Sequence, residues 1–165
     1  MQAIILAGGK GRRLMPYTTV LPKPLMPIGD YPILEVILRQ LKYYGFDRVT
    51  ISTGYLHELI HAYLDSNHTL GLDITYVHED TPLGTIGPLR LIEDLDDTFL
   101  VMNGDILTDI SYPDIIASHR KEKAVATVAT YQRVVNIDFC VLEKDENRKI
   151  TGFREKPTYH FDVSM

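Results

Sequence analysis

The sequence is poor in cysteine and has no long hydrophobic run. Its single cysteine, Cys140, excludes an internal disulfide framework and fits a reducing compartment. No apolar stretch approaches the roughly 18 residues that a membrane span requires. The first residues also lack the basic start of a secretory signal. These absences predict a cytoplasmic protein that neither spans nor binds a membrane.

Repeats, low-complexity tracts and linker-like runs are absent too, so residues 1–165 are predicted to form one domain. A net charge of −5 excludes the broad basic face of a general nucleic-acid binder. The charge is uneven, however: residues 1–30 carry four Lys or Arg residues and one acid. An acidic protein with a basic opening segment suits a small anionic ligand held in one cleft.

The N-terminal segment is rich in glycine, with Gly8, Gly9 and Gly11 after a short apolar run. Glycine lets the backbone approach a ligand and direct its N–H groups at it, and cations neutralise phosphate charge. The spacing is neither that of a P-loop nor that of the dinucleotide fingerprint. A tight turn is the alternative, but a turn does not require arginines. The segment predicts a polyphosphate pocket with these cations around it: Lys10, Arg12, Arg13 and Lys23.

Prolines surround one of these cations. Pro22 and Pro24 flank Lys23, and Pro27 follows. Because proline fixes φ and restricts the preceding residue, the segment should be extended and stiff. This predicts a lysine presented at a defined place, and the alternative is a solvated lysine on a surface loop.

The apolar pattern alternates strands with helices. It predicts strands at 3–6, 49–52, 74–77 and 98–102, helices at 30–44, 56–64, 85–95 and 113–120, and then strands at 124–131, 139–142 and 150–153. Asp30 is the predicted cap of the first helix and Gly45 its end. Alternation of this kind predicts a three-layer α/β/α domain with a mainly parallel, mixed sheet. The last residues begin another strand-like pattern, from which we expect a C-terminally truncated domain.

Four stretches carry a resemblance to a known family. They are LAGGKGRRLMPYTTVLPKPLMPIG at 6–29, EDTPLGTIGPL at 79–89, FLVMNGDIL at 99–107 and ITGFREKP at 150–157. In this order they resemble the motifs of the sugar-phosphate nucleotidyltransferases, and the second resembles the mannose-1-phosphate guanylyltransferase branch. The resemblance implies the Rossmann-like nucleotide-diphospho-sugar transferase fold, of which this chain would be the N-terminal two thirds.

The resemblance also implies a reaction. A nucleoside monophosphate passes from a nucleoside triphosphate to a sugar 1-phosphate, giving an NDP-sugar and pyrophosphate. Such a transfer needs in-line positioning and neutralisation of phosphate charge. Arg13 matches the arginine that grips the triphosphate, and Lys23 matches the lysine that brings the reacting phosphates together. NGD is the least specific motif, since Asn-Gly-Asp is also a common turn. The resemblance makes Asp105 a ligand of Mg²⁺, while the second metal aspartate of the family lies in a later segment.

The base is read from the second motif. The resemblance places the nucleotide against Leu6, Ala7, Gly8, Gly9, Gly11, Arg13, Glu79 and Gly84. A carboxylate only accepts hydrogen bonds, and guanine offers two adjacent donors. Glu79 therefore favours a guanine nucleotide such as GTP, and the resemblance to the mannose-1-phosphate guanylyltransferase branch implies mannose 1-phosphate as the sugar. The alternative is an exposed acid on an acidic loop.

The resemblance assigns Lys156 to the sugar phosphate and Glu155 to a sugar hydroxyl. Alone, this pair before a proline would be a surface turn. Two positions depart from the family: Arg12 replaces a threonine, and Cys140 replaces a glycine that approaches the sugar. His57, His61 and His78 form no zinc-like ligand set in the sequence.

Two other functions remain open. A nucleotide- or sugar-phosphate-binding regulatory module would bind these ligands without catalysis, which the absent second metal aspartate favours. A regulatory subunit that assembles with copies of itself is the third possibility, and an oligomer is compatible with the sequence.

Overall fold

The computed structural model describes residues 1–66, 68–81 and 83–164. The chain divides into two compact units, Met1–Ser118 and His119–Met165. The single domain expected from the sequence stays a prediction beside this division. Within the described ranges, no helix has the length and apolar character that crossing a membrane requires.

The first unit alternates strands and helices, as the apolar pattern predicts. Its strands are β1 (Gln2–Leu6), β2 (Pro27–Ile28), β3 (Tyr31–Pro32), β4 (Arg48–Thr53), β5 (Asp73–His78) and β6 (Phe99–Asn103). Its helices are α1 (Ile33–Tyr43) and α2 (His57–Ser66), and α3 (Tyr112–Glu122) begins in it. Short 3-10 helices cover Arg12–Leu14, Tyr17–Thr19, Lys23–Leu25, His68–Gly71 and Gly87–Leu91.

Four of these strands form a parallel sheet in the order β5-β4-β1-β6. In its register, Ile4 lies opposite Thr50 of β4 on one side and Val101 of β6 on the other. The chain adds β4 and β5 on one side of β1 and then crosses to place β6 on the other. Ligands bind open parallel sheets at the carboxyl ends of the strands, where the order reverses in this way. The predicted parallel sheet is confirmed.

The core of the first unit joins β1, β4, α1 and α2. Leu34, Ile37, Leu38 and Leu41 of α1 are fully buried at helical spacing, and each such side chain contributes roughly 1.5–3 kcal/mol on burial. They belong to one cluster with Ala3, Ile5, Val49, Ile51, Ile60 and Leu64.

The start of α1 differs from the prediction. Asp30 does not cap the helix, because it lies in the two-residue turn between β2 and β3. The helix begins at Ile33 with Pro32 at the N-cap position. The Ile33 amide donates to the Met26 carbonyl, which binds the helix start to the other end of the hairpin. The predicted end at Gly45 is confirmed, since α1 ends at Tyr43 with Tyr44 as its C-cap.

The predicted helix at 85–95 is wrong. The structure has only a 3-10 helix at Gly87–Leu91, and Ile86 is 67% exposed. Pro88 explains the difference, because proline disfavours the α conformation at the preceding residue and lacks an N–H to donate. The apolar spacing of this segment therefore does not produce a regular helix.

The second unit contains two antiparallel strand pairs. Its strands are β7 (Thr130–Asn136), β8 (Val141–Lys144), β9 (Ile150–Arg154) and β10 (Thr158–Ser164), paired as β7–β10 and β8–β9. The predicted strand at 124–131 is wrong over most of its length, because pairing with β10 starts only at Thr130. The strand predicted at 139–142 begins two residues later, and the one at 150–153 is confirmed.

Candidate active site

A cleft of about 1260 Å³ lies at the carboxyl ends of the parallel strands. Residues 6–14, from the end of β1 onward, form one wall, and residues 103–105, from the end of β6 onward, form another. Residues 54–58 contribute from the loop after β4 and the start of α2, and residues 78–80 from the end of β5 and the loop after it. The cleft thus occupies the crevice that the strand order predicts for a ligand.

The glycine-rich loop is held tightly between two strand ends. The Ala7 amide donates to the Ser52 carbonyl at 2.8 Å, and the Gly104 amide donates to the Leu6 carbonyl at 2.9 Å. Gly54 packs directly on this loop, because a Cβ at Gly54 would stand 2.9 Å from the Gly8 carbonyl oxygen. Such contacts fix the loop backbone at the edge of the cleft.

Gly11 has a backbone conformation that favours glycine. Its φ is 58°, in the left-handed region, and an added Cβ would stand 2.8 Å from Thr18 Cγ2. The Thr18 hydroxyl also donates to the Gly11 carbonyl at 3.1 Å. The turn at Gly11 leads into the 3-10 helix Arg12–Leu14, so Arg12 and Arg13 lie on the cleft wall.

The structure brings Arg13, Lys23 and Asp105 to the same cleft. Lys23 Nζ forms an ion pair with Asp105 Oδ2, and both side chains are about three-quarters buried. Burial, and then the positive charge of Arg13, lower the pKa of Lys23 from its usual value. The contact with Asp105 acts in the opposite direction and favours the charged ammonium.

The proline-flanked segment fixes the position of Lys23. Pro24 and Leu25 are buried in the 3-10 helix Lys23–Leu25, and Pro22 precedes it as the N-cap. The Leu25 amide donates to the Pro22 carbonyl at 2.9 Å. Lys23 is therefore held by rigid backbone and a charged partner, so the alternative of a solvated surface lysine does not apply.

Glu79 lines the cleft and is partly buried, so it is not the exposed acid of the alternative. Its Oε1 accepts a hydrogen bond from the Ser52 hydroxyl at 2.8 Å, and its Oε2 accepts one from the Leu83 amide at 3.3 Å. Gly8 leaves room for it, because a Cβ there would stand 2.5 Å from Glu79 Oε1. Gly84 also lines the cleft.

Asp105 is the candidate metal ligand of the cleft. Among the residues that the structure describes, no group of three or more His, Cys, Asp or Glu side chains could enclose an ion. Mg²⁺, however, commonly takes one or two carboxylates together with substrate phosphates. The oxygens of Asp105 at the cleft wall fit that requirement as one ligand.

Three histidines form a cluster that the sequence did not indicate. The rings of His57 and His78 lie 4.2 Å apart, and those of His57 and His61 lie 5.6 Å apart. Burial, and then the charge of His57, lower the pKa of His61. His57 and His78 line the cleft. Sequence reasoning missed this contact because it depends on the position of α2 beside the end of β5.

The other sequence-predicted residues belong to the second unit. Glu155 and Lys156 are exposed between β9 and β10, and Lys156 has a φ of 43°. Cys140 is a free, exposed thiol. The sugar-phosphate role of Glu155 and Lys156 stays a prediction.

Comparison with known proteins gives a consistent result. Residues 2–161 match the family described as nucleotidyl transferase. A UTP–glucose-1-phosphate uridylyltransferase of Synechocystis sp. is 36% identical over 173 residues, which is 95% of this chain and 44% of that protein. A mannose-1-phosphate guanylyltransferase catalytic subunit beta of Dictyostelium discoideum is 35% identical over 162 residues, with 95% and 45% covered. The chain thus spans less than half the length of these relatives.

Solved structures share the fold. HddC from Yersinia pseudotuberculosis superposes with a TM-score of 0.69 at 24% identity, over 99% of this chain and 72% of that one. A UDP-glucose pyrophosphorylase complexed with UDP-glucose gives a TM-score of 0.61 at 19% identity, over 94% and 68%. At these identities the likeness shows the fold alone, and it confirms the nucleotide-sugar transferase fold that the motifs imply.

Proposed function

The chain belongs to the nucleotidyl transferase family, and we propose on that basis that it transfers a nucleoside monophosphate from a nucleoside triphosphate to a sugar 1-phosphate. The products are an NDP-sugar and pyrophosphate. The observation that carries the proposal is the convergence of Arg13, Lys23 and Asp105 on one cleft beside the glycine-rich loop. These groups are the ones that a phosphate-transfer reaction requires.

The triphosphate binds along the loop after β1. The backbone N–H groups of Gly8, Gly9 and Gly11 are suited to the phosphates, and the Leu6 and Ala7 backbone leads into the same wall. Arg13 grips the β- and γ-phosphates with its planar guanidinium. When the phosphate oxygen of the sugar attacks the α-phosphorus, the bond from that phosphorus to the bridging oxygen breaks. Arg13 then stabilises the charge on the leaving pyrophosphate.

Lys23 acts between the two reacting phosphates. Both substrates are anionic, so their approach is opposed by electrostatic repulsion. The Lys23 ammonium is positioned by the buried proline segment, and the neighbouring carboxylate of Asp105 favours its charged form. It can therefore reduce the repulsion between the phosphates without a change in its own position. Its role is to position and neutralise, and it forms no covalent bond.

Asp105 would supply a carboxylate ligand to Mg²⁺. Bound Mg²⁺ supplies charge neutralisation on the phosphate oxygens. Asp105 suits Mg²⁺ because its carboxylate offers hard oxygen donors at the cleft wall. It also lies beside the phosphate-binding side chains, since it contacts Lys23 directly.

The base is guanine in this proposal. Glu79 presents a carboxylate whose oxygens can accept from the N1–H and N2–H₂ groups of guanine, with Gly84 beside it. Relatives named for uridylyl and for guanylyl transfer are similar to this chain to nearly the same degree. The guanine preference therefore rests on the chemistry of Glu79.

The remaining assignments follow the family motifs. Lys156 binds the sugar phosphate and Glu155 binds a sugar hydroxyl, with mannose 1-phosphate as the first sugar to test. The protein is proposed to act in the cytoplasm, on small-molecule substrates rather than on nucleic acid, and an oligomer is compatible with it.

A second candidate is a nucleotide-binding regulatory module without catalysis. The observation in its favour is that the described residues contain no group of three or more His, Cys, Asp or Glu side chains that could hold an ion without substrate. Binding of both substrates without turnover would identify it.

The test is pyrophosphate release from GTP and mannose 1-phosphate with Mg²⁺. We expect activity in the unaltered protein and a loss of at least roughly a hundredfold in Lys23→Ala, in line with removal of one preorganised charged donor. Lys42→Ala is the matched control, since Lys42 donates to the Gly71 carbonyl on an exposed surface. Equal turnover in Lys23→Ala and Lys42→Ala would contradict the role of Lys23.

A further inference from the structure

Ser52 is a fully buried polar residue in the central sheet. It lies near the end of β4, and its exposed fraction is 0%. A buried hydroxyl is unfavourable unless it is hydrogen-bonded. Its hydroxyl donates to Glu79 Oε1 at 2.8 Å, and this hydrogen bond holds the Glu79 carboxylate in place.

Glu79 is also restrained from other directions. Its amide donates to the Thr53 carbonyl at 2.9 Å, which fixes its backbone to β4. The Leu83 amide donates to Oε2 at 3.3 Å, and Gly8 packs so near Oε1 that a Cβ at Gly8 would stand 2.5 Å from it. Of these restraints, the Ser52 hydroxyl is the short side-chain hydrogen bond that sets how the carboxylate is turned.

Resting on the proposed function, we propose that Ser52 is a positioning residue for nucleotide selectivity, acting through Glu79. A carboxylate oxygen has more than one acceptor direction, so hydrogen bonds from Ser52 and Leu83 leave acceptor capacity for a ligand. The Ser52 hydrogen bond keeps that capacity directed at the donors of a guanine edge.

This role is separable from general nucleotide affinity. The triphosphate is bound by the glycine-rich loop and Arg13, and Ser52 supports this loop through its backbone, whose carbonyl accepts from the Ala7 amide. Replacing Ser52 by alanine keeps that carbonyl and removes only the hydroxyl. The carboxylate then keeps only the longer hydrogen bond from the Leu83 amide and can rotate about it. Discrimination between GTP and UTP should fall, while binding of the triphosphate persists.

The experiment is calorimetric titration of the 165-residue chain with GTP, UTP, dTTP and ATP. We expect the unaltered protein to prefer GTP and Ser52→Ala to lose roughly tenfold in the GTP-to-UTP ratio of affinities. Ser52→Thr, which retains a hydroxyl, should restore the ratio. Thr50→Val is the matched control, because Thr50 is also buried on β4 and its hydroxyl bonds across to Thr75 of β5 at 3.0 Å.

A double mutant tests whether Ser52 acts through Glu79. In a Glu79→Ala background, Ser52→Ala should cause no further loss of selectivity, since its partner is gone. An undiminished ratio in Ser52→Ala, or an equal loss in Thr50→Val, overturns the inference and leaves the proposed function intact. A preference of the unaltered protein for UTP or dTTP overturns the guanine assignment together with this inference. Absence of binding to every nucleotide overturns the proposed function itself.

Discussion

Single residues in this protein obtain their properties from partners distant in the sequence. Lys23 and Asp105 are each recognisable in their motifs, but the sequence does not show that they form an ion pair. Ser52 gave no signal at all, because a serine in an apolar strand has no pattern that marks a buried hydrogen bond. Residue types could thus be predicted where a motif names them, whereas contacts that depend on sheet register could not.

Glu35 shows the same dependence away from the cleft. It is a buried carboxylate in α1 that accepts from Tyr63 and Arg39. Burial raises its pKa, but the hydrogen bonds from Tyr63 and Arg39 outweigh burial and lower it below 4.5. Burial and the same hydrogen bond raise the pKa of Tyr63 to about 12.

The stability of the protein should therefore depend on Glu35 in acid. Because its pKa is lower in the folded than in the unfolded chain, Glu35 contributes fully above pH 4.5, and the contribution is lost as the pH falls through the folded value. Glu35→Gln should flatten this acid limb of the free energy of unfolding, measured by urea titration from pH 3 to pH 7 in steps of about one unit. Glu93→Gln, at an exposed position, is the control. An acid limb as steep in Glu35→Gln as in the unaltered protein would contradict this account.

Elements of the first unit were predicted well where the spacing of apolar residues matches the residues that are buried in the structure. The strands β1, β4 and β5 and the helices α1 and α2 follow the apolar pattern closely. The helix predicted at 85–95 is wrong because Pro88 prevents a regular helix despite the apolar spacing. The predicted cap at Asp30 is wrong because this residue lies in the turn of the β2–β3 hairpin. In the second unit, pairing with β10 determines where β7 begins. Residues 124–131 alone do not show where that pairing starts.

The packing of the loop after β4 on the loop after β1 leads to a prediction for Gly54. Gly54→Ala should lower the free energy of unfolding by about 1–3 kcal/mol, since the new Cβ would meet the Gly8 backbone, which cannot move aside easily. Gly9→Ala is the matched control from the same pair of loops: apart from its chain neighbours, no described atom lies within 4 Å of a Cβ at Gly9. Both are measured by denaturant unfolding, and equal stabilities would show that the two loops are not packed as described.

For the whole molecule, the position of the cleft follows from strand order. A sheet in which β6 lies on the opposite side of β1 from β4 brings the loops after four strands to one crevice. The sequence predicted a phosphate pocket from the glycine-rich segment and its cations, and the family motifs supplied most of the other residues that line it. It did not predict the histidine cluster, or the division of the chain into two units.

Triphosphate binding by the glycine-rich loop and Arg13 is measured by calorimetric titration of GTP and GMP into the unaltered protein and Arg13→Ala. We expect GTP to bind more tightly than GMP. Arg13→Ala should weaken the affinity for GTP by roughly tenfold, while the affinity for GMP changes little. Arg133→Ala, on exposed β7 of the second unit, should bind GTP as the unaltered protein does. GTP affinity that is the same in Arg13→Ala as in the unaltered protein, or no stronger than GMP affinity, would contradict the account.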